Sequence, residues 1–329
     1  MKKIILNFLP DEDLKRKWVA IGVTVFLALF FTLLGIYGFG QYGLALFVLI
    51  PLFIGINSVL LYGLKKAKVE VKSFRIALLT LVLYLLVLLL FAIEGLICIA
   101  MAFPIILIFT LIGSYIGDNI LRKISDKAPI IMLVLIGTIP IMSFVEKDNQ
   151  PTLTSVVTSI EINADIQTVW ENVVEFPELD EPTEFIFKTG IAYPINAEIE
   201  GTGVGAIRYC NFTTGSFVEP ITVWDKPNLL KFDVEEQPEP MKELSFWDID
   251  APHLHDYFVS KQGQFKLTEL SNGNTLLEGT TWYYHNIKPE IYWNFWSKNI
   301  VHKIHERVLK HIKINAEKQP EILNLKLKQ

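Results

Sequence analysis

The chain of 329 residues is long enough for two domains, but with 51% hydrophobic residues and a mean hydropathy of +0.37 it is too apolar for an ordinary soluble protein. Residues 1–145 carry a net charge of +6 and residues 146–329 a net charge of −11, which indicates a membrane half followed by an acidic soluble half. The acidic half disfavours nucleic acid as a partner, because phosphate contacts need clustered Lys and Arg. The two cysteines, one in each half, exclude a disulfide framework.

The N-terminal half is predicted to be a transmembrane domain of about five helices over residues 18–145, preceded by a short N-terminal segment, 1–17. Apolar segments 18–39 and 42–62 each have the roughly 20 residues that cross a bilayer core. Segment 76–115 is too long for one span, so a hairpin turning near Glu94-Gly95 is expected. The fifth segment, 129–144, is short and contains Pro140, and an alternative in which it does not cross stays open.

The orientation of these segments follows from their loops. Lys and Arg cluster in the N-terminus, after the second segment and before the fifth, whereas the hairpin tips around 39–42 and 93–96 have none. The positive-inside tendency therefore predicts a cytoplasmic N-terminus. Five spans place the C-terminal domain on the periplasmic or extracellular side, and four would leave it in the cytoplasm.

Glu94 is the one ionisable residue in the long apolar stretch. Charged residues inside a membrane are usually functional. Because Glu94 falls where the hairpin must turn, an interfacial carboxylate is the favoured interpretation. A transporter or a proton pump has no further support in the sequence.

The soluble half is predicted to be an α+β domain over residues 154–318, with a linker, 146–153, before it and a tail, 319–329, after it. The alternating run 155–162 predicts a strand, and Asn163 is the expected N-cap of an amphipathic helix that ends at Pro177. Strand-like runs follow at 195–201, 205–212, 216–224, 229–236, 263–270 and 275–285. Asn272-Gly273 indicates a hairpin, and a long helix is expected from Pro289 to about Lys318. This order favours a curved antiparallel sheet that grips one helix, with a cavity between them.

Four runs of residues in this half resemble a known superfamily: 205–215, 217–222, 277–283 and 304–312. They are similar to the START-like SRPBCC superfamily, in particular to the membrane-anchored bacterial form of its polyketide cyclase/dehydrase and lipid-transport branch. The resemblance implies a helix-grip fold with a hydrophobic ligand cavity, and a bacterial inner membrane as the location. It implies no particular reaction, since fold does not set function.

The polar candidates for a site are Arg208 and Glu219, which lie in neighbouring predicted strands. If both side chains face inward, they form a charged pair in the cavity that could orient a polar head group or assist enolisation. If both face outward, they are an ordinary cross-strand pair. Together with His285, they are the weak candidates for catalytic residues.

All six histidines lie in the last third of the chain, including His302 and His305 three residues apart on the predicted helix. Together with His253 and His255 they could bind a metal, but nothing in the sequence brings the two pairs close together, so the histidines are interpreted as surface or hydrogen-bonding residues. The sequence contains no phosphate-cradling loop, dinucleotide fingerprint or nucleophile elbow. No cofactor and no metal is therefore expected.

The predicted ligand-binding residues are mainly aromatic and stand near the expected cavity or its rim. They are Trp170, Arg208, Tyr209, Glu219, Trp224, Phe246, Trp247, Trp282, Tyr283, Trp293 and Trp296. The acidic stretch from Gln237 to Asp256 has apolar side chains and is long for a structureless loop. It is interpreted as a lid, with packing on the sheet edge or disorder as alternatives.

Three functions follow from these patterns. The first is a membrane-anchored protein that binds a lipid or hydrophobic small molecule. The second is a cyclase/dehydratase-like enzyme that acts on a membrane-derived substrate, and the third is a structural or signalling module with a filled core. Protein partners cannot be named from the sequence.

Overall fold

The computed structural model describes residues 2–65, 73–148, 150–244 and 249–326, and within these ranges the chain forms two compact units. The helical unit contains Met1–Gln150 together with two later segments, Glu243–Pro252 and Ile287–Tyr292. The sheet unit contains Pro151–Lys242, His253–Asn286 and Trp293–Gln329.

The N-terminal part of the helical unit contains, among its described residues, a short helix and five long apolar ones. Its helices are α1 (Lys2–Phe8), α2 (Asp13–Leu33), α3 (Ile50–Gly63), α4 (Ser73–Leu90), α5 (Leu96–Ile124) and α6 (Ala128–Val145). A π-helical turn, Leu34–Gly38, extends α2, and a second one, Ala45–Leu49, precedes α3. The break between Leu90 and Leu96 confirms the hairpin expected near Glu94-Gly95. Lys66, Lys68 and Lys72, which contribute to the predicted orientation, lie outside the described residues.

Four stretches of the helical unit are long and apolar enough to cross a membrane: Asp13–Gly38, Ala45–Gly63, Ser73–Leu90 and Leu96–Val145. The fourth stretch contains two successive helices, α5 and α6, which are joined by the turn Ser125–Lys127. At 18 residues, α6 is about 27 Å long, slightly less than the roughly 30 Å hydrocarbon core.

Helices α3 and α5 pack in backbone contact. A Cβ atom added at Gly113 would lie 2.4 Å from the backbone oxygen of Leu52, and one added at Gly55 would lie 2.2 Å from that of Thr110. Small residues allow this approach, which stabilises helix pairs in lipid where there is no hydrophobic driving force between them.

The sheet unit is built around one antiparallel sheet of seven strands in the order β1-β7-β6-β5-β4-β3-β2. The strands are β1 (Thr154–Ile162), β2 (Pro194–Glu200), β3 (Ile207–Phe212), β4 (Gly215–Asp225), β5 (Leu229–Asp233), β6 (Phe258–Glu269) and β7 (Thr275–His285). The predicted hairpin at Asn272-Gly273 joins β6 to β7, and Gly273 has the positive φ of 83° that such turns require.

The first helix of the sheet unit, α7 (Ile166–Val174), has a different N-cap from the predicted one. Asp165, and not Asn163, accepts hydrogen bonds from the backbone nitrogens of Gln167 and Thr168, each at 3.0 Å. Asp165 stands immediately before the first helical residue, where a carboxylate can reach the free N–H groups.

The long helix α8 (Glu290–Lys326) closes the fold and continues beyond the expected end at Lys318. Its apolar residues Val308, Leu309 and Ile312 are buried in the same core as residues of α7 and of the strands. The result is the predicted helix-grip arrangement, a curved antiparallel sheet against a C-terminal helix.

Candidate functional site

A cavity of about 120 Å³ lies between the concave face of the sheet and α8. Its walls are mainly aromatic and aliphatic, with a few charged and polar groups. The residues that define it include Arg208, Cys210, Phe217, Glu219, Phe232, Phe265, Gly279, Thr281, Val301, Ile304, His305 and Val308.

Strand pleating selects which side chains reach this cavity. Successive residues of a strand point to opposite faces, so Arg208 and Cys210 of β3 share one face. On β4, Glu219 stands directly opposite Arg208 in the strand register, and cross-strand partners point to the same side. Both therefore face the interior, which settles the alternative that the sequence left open.

Arg208 and Glu219 form a buried ion pair. Their exposed fractions are 1% and 6%, and Nη1 of Arg208 donates a hydrogen bond to Oε2 of Glu219. Nε of Arg208 also donates to the backbone oxygen of Val174 at 3.3 Å, at the C-terminal end of α7 where the helix dipole favours a cation.

Three phenylalanine rings surround the guanidinium of Arg208. Its Cζ lies 5.6 Å from the ring centre of Phe176, 5.4 Å from that of Phe232 and 5.6 Å from that of Phe265. Aromatic faces attract cations, so the rings compensate part of the desolvation of Arg208. The cavity is therefore apolar in its walls, with one neutralised charge pair set into them.

Burial governs the protonation of the acidic groups beside Arg208. It raises the pKa of Glu219, against the opposing attraction of Arg208. It also raises the pKa of the Cys210 thiol to about 12, so that thiol stays protonated at neutral pH and is a poor nucleophile.

The histidine at the cavity is His305 of α8. Its Nδ1 lies 3.1 Å from the hydroxyl of Thr158 on β1, and its Nε2 lies 2.8 Å from the hydroxyl of Thr281 on β7. Burial, and secondarily the charge of His302, lowers its pKa to about 4. His305 is therefore a neutral residue whose two ring nitrogens are both occupied.

His285, the histidine proposed from the sequence, lies elsewhere. Its Nε2 is 2.9 Å from Oδ1 of Asn294 on α8, and it is not among the residues that line the cavity. In the part of the chain that the structure describes, no hydrogen bond joins a histidine to Arg208 or Glu219.

The aromatic stretch of β7 divides between two faces. Tyr283 points inward, is fully buried, and lies 2.9 Å from the hydroxyl of Ser297, but it packs beside the cavity rather than lining it. Trp282 points to the other face, where the ammonium of Lys231 lies 5.3 Å from its ring. Trp282 therefore does not line this cavity, because its strand parity turns it outward, and its role in ligand binding stays a prediction.

Several other predicted ligand-binding residues belong to the core or to the outer face. Trp170 and Trp224 pack edge to face, with ring centres 5.6 Å apart, in the hydrophobic core. Tyr209 alternates with Arg208 and Cys210 and so faces away from the cavity. Trp293 and Trp296 lie on the first turns of α8 and do not line the cavity. Phe246 and Trp247 lie outside the described residues.

The sequence analysis missed Phe217, Phe232, Phe265 and His305. Phe217 and Phe232 could have been found from strand parity, because Phe217 lies two residues from Glu219 and Phe232 pairs with Ile221. The position of His305 depends on how α8 rotates against β1 and β7, which helical periodicity alone does not fix.

The stretch predicted to be a lid is divided between the units. Gln237 anchors its beginning to β6 within the sheet unit, since its side chain bonds the backbone of Phe258 and Ser260 at 2.6 and 2.8 Å. Glu243–Pro252 belongs to the helical unit, where the Glu243 carboxylate accepts from the backbone nitrogens of Ile97 and Cys98 at the start of α5. The lid function stays a prediction.

No protein-family model matches the chain, and no curated protein matches it in sequence. Among solved structures, a protein from Nitrosospira multiformis is similar with a TM-score of 0.33 at 16% identity, covering 49% of this chain and 94% of its own. XoxI from Bacillus cereus has a TM-score of 0.34 at 15% identity, covering 51% and 98%. Norcoclaurine synthase from Thalictrum flavum, in complex with dopamine and hydroxybenzaldehyde, has a TM-score of 0.34 at 14% identity, covering 51% and 89%. Similarities at this level carry no argument about ligand or activity.

Proposed function

We propose that the protein is a membrane-anchored binding protein for a small apolar molecule, which it holds between the sheet and α8. The observation that carries this proposal is the cavity itself: its apolar walls enclose space that side chains do not fill. Natural cores contain few voids larger than a water molecule, because empty space forfeits packing contacts.

The size of the cavity limits the ligand. An engineered apolar cavity of about 150 Å³ holds a benzene molecule, whereas pockets for drug-sized ligands occupy roughly 300–1,000 Å³. At about 120 Å³, this cavity suits one small ring or a short aliphatic group. A whole lipid would need α8 to move away from the sheet. The Arg208–Glu219 pair would orient a polar substituent of such a ligand.

A second candidate, the module without a ligand, is favoured by the same small volume. The enzyme has less support. Catalysis of proton transfer needs a base within reach of the substrate, and both nitrogens of His305 are engaged by threonine hydroxyls. A polyketide cyclase/dehydrase-like reaction remains the alternative if a ligand that carries an acidic C–H is found.

We propose further that the helical unit crosses a bacterial inner membrane five times. The support comes from Glu146, the first residue after α6, whose carboxylate accepts hydrogen bonds from the backbone nitrogens of Leu44 at 2.8 Å and Ala45 at 3.3 Å. Leu44 and Ala45 follow the tip of the first hairpin, so α6 ends beside that tip. With a cytoplasmic N-terminus, five crossings would leave the sheet unit outside, in the periplasm or the extracellular space.

The binding proposal is tested with the full-length protein, extracted from its native membrane in mild detergent and analysed by native mass spectrometry. The matched variants are Gly279→Val, which adds a side chain to the cavity, and Glu278→Val, which adds the same side chain to the opposite face. A Cβ at Gly279 would stand 3.6 Å from Leu309, an ordinary contact, and thermal unfolding of the variant checks that the two further carbons of valine leave the fold intact. We expect a bound small molecule in the wild type and in Glu278→Val, and its loss in Gly279→Val.

The topology is tested separately with C-terminal reporter fusions. A phosphatase that works only outside the cytoplasm should be active, and a fluorescent protein that matures only in the cytoplasm should be dark. The reverse pattern would show that α6 does not cross.

A further inference from the structure

The first two turns of α8 carry apolar side chains that the protein does not cover. Ile291 is 86% exposed, and Phe295, one turn further along the same helix face, is 63% exposed. A single exposed apolar side chain is ordinary, but a contiguous apolar patch marks a surface that contacts a partner or a membrane.

Two contacts fix where the first turn lies in the helical unit. Segment Ile287–Tyr292 belongs to that unit, and Ile287 forms a parallel bridge with Tyr42, whose backbone oxygen accepts from the nitrogen of Lys288 at 2.9 Å. Tyr42 lies at the tip of the first hairpin. The segment is therefore held at the end of the helices where the hairpin tips lie.

The second contact indicates how deep in the bilayer the first turn of α8 lies. The hydroxyl of Tyr292 donates a hydrogen bond to the backbone oxygen of Met101 in α5. Met101 is five residues beyond Leu96, the first residue of the span, so at 1.5 Å per residue the contact lies about 7 Å along the helix. The headgroup region of a bilayer is roughly 5–7 Å thick on each side, so Tyr292 reaches the boundary between headgroups and acyl chains.

The surface of the helices at this end is apolar as well. Leu90 ends α4, Phe91 begins the tip, and Leu96 starts α5, and all three are exposed. Tyrosine is favoured at such an interface, because its ring is apolar and its hydroxyl finds a partner. Lys288 lies just before the turn and Glu290 begins it, and both can place their charges among the headgroups.

From these positions we propose that the first turn of α8 is a non-spanning membrane contact, in which Ile291 inserts into the outer leaflet. The partner is the lipid bilayer that holds the helical unit. This inference rests on the proposed membrane location.

The test places single spin labels on the full chain in phospholipid nanodiscs. Cys98→Ala and Cys210→Ala remove the native thiols, and the labels are attached to Ile291→Cys, Val82→Cys and Lys310→Cys. Val82 is an exposed residue in the middle of α4, and Lys310 is an exposed residue about 28 Å further along α8 than Ile291. Power saturation compares the access of oxygen, which enters lipid, with that of a water-soluble nickel chelate.

We expect the oxygen-to-nickel ratio at Ile291 to be several-fold higher than at Lys310 and close to the ratio at Val82. Equal ratios at Ile291 and Lys310, with a high ratio at Val82, would overturn this inference and leave the spans intact. Protection of Ile291 from both reagents would also overturn it, because a protein surface would then cover the turn. A low ratio at all three sites would instead contradict the proposal that the helical unit lies in a membrane.

Discussion

Arg208 and Glu219 face each other across β3 and β4, on the side of the sheet that α8 covers, and both are almost completely buried. A buried ion pair is costly to desolvate, so its presence is not in itself a source of stability. Its two members differ in one respect. The carboxyl group of Glu219 can be neutralised by a proton, whereas the guanidinium of Arg208 cannot lose one at ordinary pH.

Single substitutions in this pair should therefore have unequal effects. Glu219→Gln leaves an unpaired buried cation and should lower the free energy of unfolding by about 3–5 kcal/mol. Arg208→Met should cost less at low pH, because Glu219 then takes up a proton. The double variant Arg208→Met/Glu219→Leu should be more stable than Glu219→Gln. Denaturant unfolding of the full-length protein in detergent measures these differences.

The same pair predicts a pH signature. Burial raises the pKa of Glu219 against the opposing effect of Arg208, so without Arg208 the pKa should rise further and the folded state should hold a proton that the unfolded state releases. Relative to the wild type at the same pH, Arg208→Met should therefore lose stability as the pH rises above the ordinary range of a glutamate pKa, which denaturant unfolding measured from pH 5 to 8 can follow. A flat difference between the two proteins over this interval would argue against a buried carboxyl.

His305 should make the wild type sensitive to acid. Its pKa is about 4 in the folded protein and near 6.5 when unfolded, so between these values the unfolded state binds more protons. Stability conferred by neutral His305 is present above pH 6.5 and is lost as the pH falls, by at most about 3 kcal/mol at pH 4.

His305→Gln, which can still bond both threonines, should reduce this loss. It should not abolish it, because burial also lowers the pKa of His253 to about 4. Unfolding measured from pH 4 to 7 compares the two proteins. If the slopes coincide, His305 is not the buried neutral group that the geometry indicates.

The cap of α7 offers a test of local structure. Asp165→Ala removes the acceptor of two backbone hydrogen bonds and should cost about 1 kcal/mol. Asn163→Ala is the matched control, since Asn163 is exposed and does not cap the helix. Thermal unfolding monitored by circular dichroism should give a lower midpoint for Asp165→Ala than for Asn163→Ala. Equal midpoints would show that Asp165 is not the N-cap of α7.

The helical unit is tested at its closest contact. Gly113→Ala forces a Cβ to within 2.4 Å of the Leu52 backbone, so α3 and α5 must separate, at a cost of roughly 1–3 kcal/mol. Gly137→Ala in α6 meets nothing within 4 Å and should be neutral or slightly stabilising. Thermal aggregation of the detergent-solubilised protein reports both. Equal behaviour would mean that α3 and α5 are not in backbone contact.

The periodicity of the sequence was sufficient to predict most helices and strands of this chain, but not which face of each one points to the cavity. The two-residue alternation of β1 and β7 and the Asn272-Gly273 turn are local features, so the strands and their hairpin follow from the sequence. Whether Arg208 points in or out depends on which face α8 covers, and that is a contact between distant residues. For the same reason, Trp282 was assigned to the cavity although β7 turns it outward.

The helix boundaries show a similar division. Asp165 and Asn163 are both good N-cap residues, and only the turn that follows β1 decides between them. The role of Glu146 as an acceptor at the start of the second span could not be predicted, because its partners Leu44 and Ala45 are about 100 residues away.

The central claim is that the cavity between the sheet and α8 holds a ligand, and native mass spectrometry of the full-length protein tests it most directly. The account predicts an apolar molecule, small enough for a space of about 120 Å³, that is bound to the wild type and to Glu278→Val and absent from Gly279→Val. Recovery of no such molecule from gently extracted wild type, or equal occupancy in Gly279→Val, would contradict it.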